Sequence, residues 1–266
     1  MSLSTRIAPH LPYLRRYARA VTGSQAAGDA YVAAVLEALI EDVSLFPTAS
    51  NDRIALYKLF CSLFERLDID RTQLTSPFAW ERNAAANLSL IAPAPRQAFL
   101  LIAVEGFSTS EAAEIMNLDP GGAFATLLAE ASQEISRQVA TEVMIIEDEP
   151  LIAIDIEDMV TSLGHRVTGI ARTYREALEL YRTTSPKMVL ADIQLADGSS
   201  GIDAVNDILA ETTVPVIFIT AFPERLLTGK KPEPAFLVTK PFNPEMVKAL
   251  ISQALFFDEQ ARTGRP

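Results

Sequence analysis

The 266 residues carry 23 Lys and Arg against 34 Asp and Glu, a formal net charge of −11. At 49% hydrophobic and 21% charged, the chain is an ordered globular protein long enough for two domains, not a disordered one. Its acidity works against phosphate-rich partners, no apolar run reaches the roughly 20 residues of a membrane span, and a single cysteine excludes a disulfide framework or thiolate zinc cluster.

The opening stretch, MSLSTRIAPHLPYLRRYARA, mixes arginine with apolar residues and lacks a small-residue cleavage site. It reads as the first helix of a cytoplasmic protein. Apolar positions at spacings of three and four then predict helices over 9–21, 25–41, 51–66, 94–104, 109–117 and 120–138. Asp52 and Ser108 are the expected N-caps, and Ser108 with Glu111 has capping-box spacing. Pro77, Pro93 and Pro95 punctuate a looser stretch that separates two helical subdomains. Cys61 reads as a buried, inert thiol. His10 and His165 stand in no ligand spacing and read as ordinary structural or surface residues.

From residue 142 the rhythm changes. Strands are expected at 143–146, 166–170, 188–191, 214–219 and 236–238, and helices at 149–163, 173–183, 201–211, 222–228 and 244–256. That alternation specifies a parallel sheet covered on both faces, whose functional residues lie beyond the carboxyl ends of the strands. Glu147, Asp148 and Glu149 follow the first strand, Asp192 the third, Thr220 the fourth and Lys240 the fifth. Clustered carboxylates repel each other unless a hard cation neutralises them, and oxygen ligands of this kind suit Mg²⁺. With a hydroxyl and an ammonium on the same rim, these are the parts needed to place a phosphoryl group on a carboxylate.

The stretches MIIEDEP, MVLADIQLADGSSG, VIFITAF and LVTKPF, in this order, resemble the conserved turns of response-regulator receiver domains. The resemblance implies a flavodoxin-like (CheY-like) fold with sheet order 2-1-3-4-5 and a histidine kinase as phosphodonor. It makes Asp192 the phosphoacceptor. Glu147, Asp148, Asp192 and the backbone carbonyl of Gln194 become Mg²⁺ ligands, with Thr220 and Lys240 binding the phosphoryl oxygens. It also implies a cis Lys240–Pro241 bond. Haloacid-dehalogenase phosphatases share the aspartate nucleophile but need a second Asp two residues on, where this chain has Gln194. That favours a stored phosphoryl switch over turnover, and so a protein that is not an enzyme. Receivers often carry an aromatic three residues before the lysine; here that position is Leu237.

The helix predicted over 120–138 occupies the place of a recognition helix, yet residues 93–137 hold only Arg96 and Arg137 against six acidic residues. Its expected inward face is Phe124, Leu127, Leu128, Ala131 and Ile135; Gly121, Ala125, Thr126, Ala129, Glu130, Gln133 and Glu134 point outward. A promoter reader needs cations for phosphates and guanine edges, so no DNA binding is expected. Residues 95–135 nevertheless resemble region 4 of extracytoplasmic-function sigma factors, and 15–39 more loosely resemble region 2, with Asp29 at a matching position and Val32 where a glutamine is usual. A sigma shape ahead of a receiver resembles the PhyR-type response regulators, anti-anti-sigma factors of the alphaproteobacterial general stress response. That resemblance implies an all-α, sigma-like N-terminal domain that binds a NepR-like anti-sigma protein, with the unphosphorylated receiver packed on it through an intramolecular interface that masks the anti-sigma site. The expected division is 1–67 (region 2-like), 68–92 (connection), 93–138 (region 4-like) and 142–258 (receiver). The main alternative is a two-component regulator that reads DNA with its helical half; a phosphatase and a constitutive sigma factor are weaker rivals.

Overall fold

The structure, a computed structural model, describes residues 2–64, 93–136, 140–195, 197–221 and 235–263. Its helical half comprises α1 (Leu3–Ile7), α2 (Leu11–Thr22), α3 (Gln25–Glu41), α4 (Asp52–Phe64), α5 (Ala94–Ala103), α6 (Thr109–Ile115) and α7 (Ala123–Ser136). Local chemistry sets their ends. Gly23, at φ 68°, closes α2 in the left-handed conformation that favours glycine, and its amide donates to the Arg19 carbonyl at 2.7 Å. The Ser24 hydroxyl then caps α3. Ser108 and Glu111 form the expected capping box. Asp52 is not the cap of α4: Asn51 Oδ1 accepts the Ile54 amide at 2.9 Å, and Asp52 is instead held by Arg6. A turn through Pro120–Gly122 delays α7 to Ala123.

The helices on either side of residues 65–92 share one core. Tyr17, Tyr57 and Phe60 pack together, and the Tyr57 ring meets Phe107 edge-on at 4.9 Å. Beside them the buried Glu105 carboxylate accepts from Arg16 Nε (3.0 Å) and Tyr57 Oη (2.8 Å), with Arg53 at 3.7 Å. The turn after α5 is thus locked onto α2 and α4. The connecting stretch expected at 68–92 lies outside the described residues.

The second half is a five-stranded parallel sheet of β1 (Glu142–Ile146), β2 (Arg166–Ala171), β3 (Met188–Asp192), β4 (Val216–Thr220) and β5 (Leu237–Thr239), in the order β2-β1-β3-β4-β5. Successive strand residues alternate between two apolar layers. Val143, Ile145, Leu190, Ile217 and Val238 face α8 (Pro150–Ser162) and α11 (Pro244–Thr263). Met144, Ile146, Val189, Phe218 and Leu237 face α9 (Tyr174–Thr184) and α10 (Gly201–Glu211). This is the doubly wound receiver fold. The helix expected over 222–228 lies outside the described residues, and α11 runs several residues past its expected end at 256. The α8/α11 layer is continuous with the core of the helical half, so the two halves are docked.

Candidate phosphoacceptor pocket and interdomain interface

The parallel strands carry the pocket residues to one rim. Glu147, 1% exposed, follows β1; Asp192 ends β3, Thr220 ends β4, and Lys240 follows β5. Lys240 Nζ lies 2.6 Å from Asp192 Oδ2 and 2.8 Å from Glu147 Oε2. The Lys240 amide donates to the Thr220 carbonyl at 2.7 Å, which fastens the lysine turn to the hydroxyl turn, and the Lys240–Pro241 bond is cis. Asp192 Oδ1 accepts the amides of Ile193 (2.5 Å) and Gln194 (3.3 Å). Gly201 opens α10 against this turn: a Cβ there would lie 1.8 Å from the Asp192 carbonyl oxygen, so no side chain fits.

Electrostatically the pocket is anionic and partly neutralised. Burial pushes the Glu147 carboxyl up from the ordinary carboxylate value, against the opposing pull of Lys240. Desolvation works against the Lys240 ammonium, but its hydrogen bonds to Asp192 and Glu147 outweigh that and raise its pKa. One carboxylate oxygen from each of Glu147, Asp148 and Asp192 falls within 4.8 Å of the others. This donor set of hard oxygens fits a small divalent cation. Among the described residues it is the one cluster with ligand-like spacing, and His10 and His165 join none. His165 is buried, its Nδ1 accepting the Thr141 amide at 3.2 Å. Cys61 is half-buried rather than buried as expected.

The helical half explains its own acidity. Each arginine among its described residues is ion-paired: Arg6 with Asp52, Arg15 and Arg19 with Asp29, Arg16 and Arg53 with Glu105, and Arg96 with Glu134. Asp29 is gripped by two guanidinium forks, with contacts of 2.7 to 3.1 Å. A phosphate backbone would find no unengaged guanidinium among these described residues. The inward face of α7 is as expected; of the outward residues only Glu134 differs, being half-buried against Arg96.

Arg96 is the functional residue that sequence reasoning missed. It is 3% exposed, and its Nη1 donates to the Ser252 carbonyl, the Ser252 hydroxyl and Gln253 Oε1, each at 3.2 Å, while the guanidinium lies 4.2 Å from the centre of the Phe256 ring. Gln253 Nε2 donates in turn to the Ala20 carbonyl at 3.0 Å. Phe257 packs over Gly23, where a Cβ would come within 2.8 Å of its ring, and on its other side lies 6.2 Å from Phe236. The α11 helix therefore closes over α2 and α5. The available signal was the polar Ser252–Gln253 pair interrupting the apolar run ALISQALFF, together with one of only two cations in the region 4-like segment.

Family models agree with this architecture. One described as the Sigma2 domain of PhyR matches residues 7–61, one described as the sigma-like domain of the response regulator PhyR matches 88–138, and a response regulator receiver domain matches 143–252. The phyllosphere-induced regulator PhyR of Methylorubrum extorquens is 51% identical, across 98% of this chain and 97% of its own. The crystal structure of the response regulator PhyR from Brucella abortus is 66% identical with a TM-score of 0.88, covering 99% of this chain and 98% of that one. That of the anti-anti-sigma factor PhyR from Bartonella quintana is 64% identical with a TM-score of 0.86, covering 99% of both chains. A receiver joined to a sigma-shaped module whose described arginines are all ion-paired, matched over nearly its whole length by these relatives, belongs to the PhyR family of response regulators.

Proposed function

We propose that the chain is a phosphorylation-gated anti-anti-sigma factor of the cytoplasm, divided as 1–67, 68–92, 93–138 and 142–258. A histidine kinase supplies the phosphoryl group, and the Asp192 carboxylate attacks it. Glu147, Asp148, Asp192 and the Gln194 backbone carbonyl would hold Mg²⁺, which supplies charge neutralisation for the incoming anion. Thr220 and Lys240 bind phosphoryl oxygens. The phosphoryl group adds about 1.5 to 2 negative charges if it behaves like other phosphorylated side chains. The Lys240 ammonium must then be shared with it, which loosens the hold on Glu147 and moves the β5 turn.

Leu237 is fully buried against the α9/α10 layer and is no substitute for a rotating aromatic. Phe236, on the opposite face, leads through Phe257 to Gly23 and gives the pocket a packed route to the interface. Displacing α11 frees α2 and α5, and the sigma-like module then sequesters a NepR-like anti-sigma protein and releases a sigma factor. The observation that carries this reading is the use of Arg96, in the region 4-like segment, to hold the receiver. The experiment is capture of a NepR-type anti-sigma protein by wild type and Asp192→Ala, with and without acetyl phosphate and Mg²⁺. Capture by phosphorylated wild type alone supports the switch; equal capture in all four conditions defeats it.

A further inference from the structure

A cavity of about 310 Å³ lies between the two halves, beside the Arg96 contact. Phe99 on α5 and Ile135 on α7 line it from the helical half, and Leu163 at the end of α8 and Ile251 on α11 line it from the receiver. Ser252, which accepts from Arg96, belongs to the same wall. Ligand pockets favour domain interfaces, and this one is at the small end of their size range, with room for one ring or short chain and one head group.

Two donors in the wall have nothing to bond. His165 is 9% exposed, and its Nδ1 accepts the Thr141 amide at 3.2 Å. Burial holds its pKa below the ordinary histidine value, so the ring is neutral and its proton sits on Nε2. That N–H donates to none of the described residues, and His165 lines the cavity. Lys248, half-buried on α11, lines it too, and its ammonium makes no ion pair or hydrogen bond among the described residues. Donors withdrawn from water without an acceptor are costly, so both favour an occupant that can accept.

We propose that this interdomain cavity binds a small organic carboxylate that clamps the docked form. The head group takes the Lys248 ammonium and the His165 N–H, and the apolar body lies against Phe99, Ile135, Leu163 and Ile251. The walls select this class. One cation and one neutral donor match a single negative charge, whereas a phosphate dianion would lack donors and meet the Glu245 carboxylate on the same wall. An uncharged apolar molecule would leave both donors unsatisfied. Because the walls come from both halves, the ligand binds the docked form and opposes undocking by that difference in affinity. The site stands apart from the anti-anti-sigma reading; its effect on output rests on it.

The test titrates the full-length, unphosphorylated chain with benzoate and hexanoate, with benzamide, hexanamide and inorganic phosphate as controls. At least one carboxylate should bind saturably and raise the melting temperature, and the controls should bind about tenfold more weakly or worse. Lys248→Met keeps the apolar stem, and His165→Asn keeps an oxygen that can accept the Thr141 amide; each should weaken the carboxylate about tenfold or more. If His165→Asn does not fold, Lys248→Met decides alone. Saturating carboxylate should also weaken capture of the anti-sigma protein by phosphorylated wild type, and bound anti-sigma protein should weaken the carboxylate by the same factor. The proposal is overturned if neither carboxylate binds, if an amide or phosphate binds equally well, or if the variants bind within about twofold of wild type. Equal capture with and without saturating carboxylate overturns the clamp. No capture at all by phosphorylated wild type refutes the anti-anti-sigma reading instead, and the titrations still decide the site.

Discussion

Replacing Arg96 with alanine should make the protein active without phosphorylation. The guanidinium touches three acceptors on α11, all at 3.2 Å, and stacks on Phe256. Three long bonds from one nitrogen count for roughly one good charge-assisted bond, about 2 kcal/mol. The desolvated cation–π contact adds about 1 kcal/mol. Glu134, whose side chain is 43% exposed, contributes little beyond this. The docked form therefore loses about 3 kcal/mol, roughly a hundredfold in the docking equilibrium. A population docked about 99:1 becomes roughly even. The assay is titration of unphosphorylated protein with the anti-sigma protein. Because Arg96 belongs to the module that binds the partner, Gln253→Ala provides the same test from the receiver side, by removing the bond to the Ala20 carbonyl. If both variants remain as dependent on phosphorylation as the wild type, the interface is not the lock.

Further expectations concern the pocket and the helical core. Glu147 is a carboxyl raised by burial, so its contribution to stability is fully present below about pH 4.5 and is lost as pH rises through its higher folded value. Glu147→Gln should therefore melt above wild type at pH 7 in EDTA, with a flatter pH profile, and that advantage should shrink when Mg²⁺ is added; an unchanged melting temperature in EDTA would contradict this. Gly201→Ala places a Cβ against the Asp192 carbonyl, and should cost about 1–3 kcal/mol or more and slow phosphorylation by acetyl phosphate. Wild-type kinetics would show that the turn can shift freely. Glu105→Ala leaves Arg16 buried without its carboxylate and should cost about 3–5 kcal/mol in urea unfolding of the helical half. A loss below about 1 kcal/mol would mean that water replaces the carboxylate.

The pocket was legible because in a parallel sheet the chemistry follows from where strands stop. Runs such as VMII and MVLA end on Glu147 and Asp192, and once strands are recognised by β-branched runs the convergence follows. The missing cations on α7 were equally visible, since charge is a property of composition. That the receiver packs on the sigma-like half was expected; the side chains that hold it there were not legible. Arg96 reads as a surface charge until α11 is known to lie over α5, a contact between residues more than 150 positions apart. Helix ends were legible where the capping side chain is unambiguous, as at Ser108, and misread where two adjacent candidates compete, as at Asn51 and Asp52. The half-burial of Cys61 depends on which face of α4 the rest of the fold covers, which helical periodicity alone left open.

The separation of the two halves on phosphorylation can be measured directly. Spin labels at Ala129 on α7 and Thr183 on α9, both exposed, with Cys61 replaced by serine, report the distance between them. Acetyl phosphate with Mg²⁺ should replace one narrow distance distribution with a broader one centred elsewhere, and Asp192→Ala should abolish the change. A distribution that stays narrow and unshifted in protein shown to be fully phosphorylated and bound to the anti-sigma protein would mean that the module is recognised without undocking.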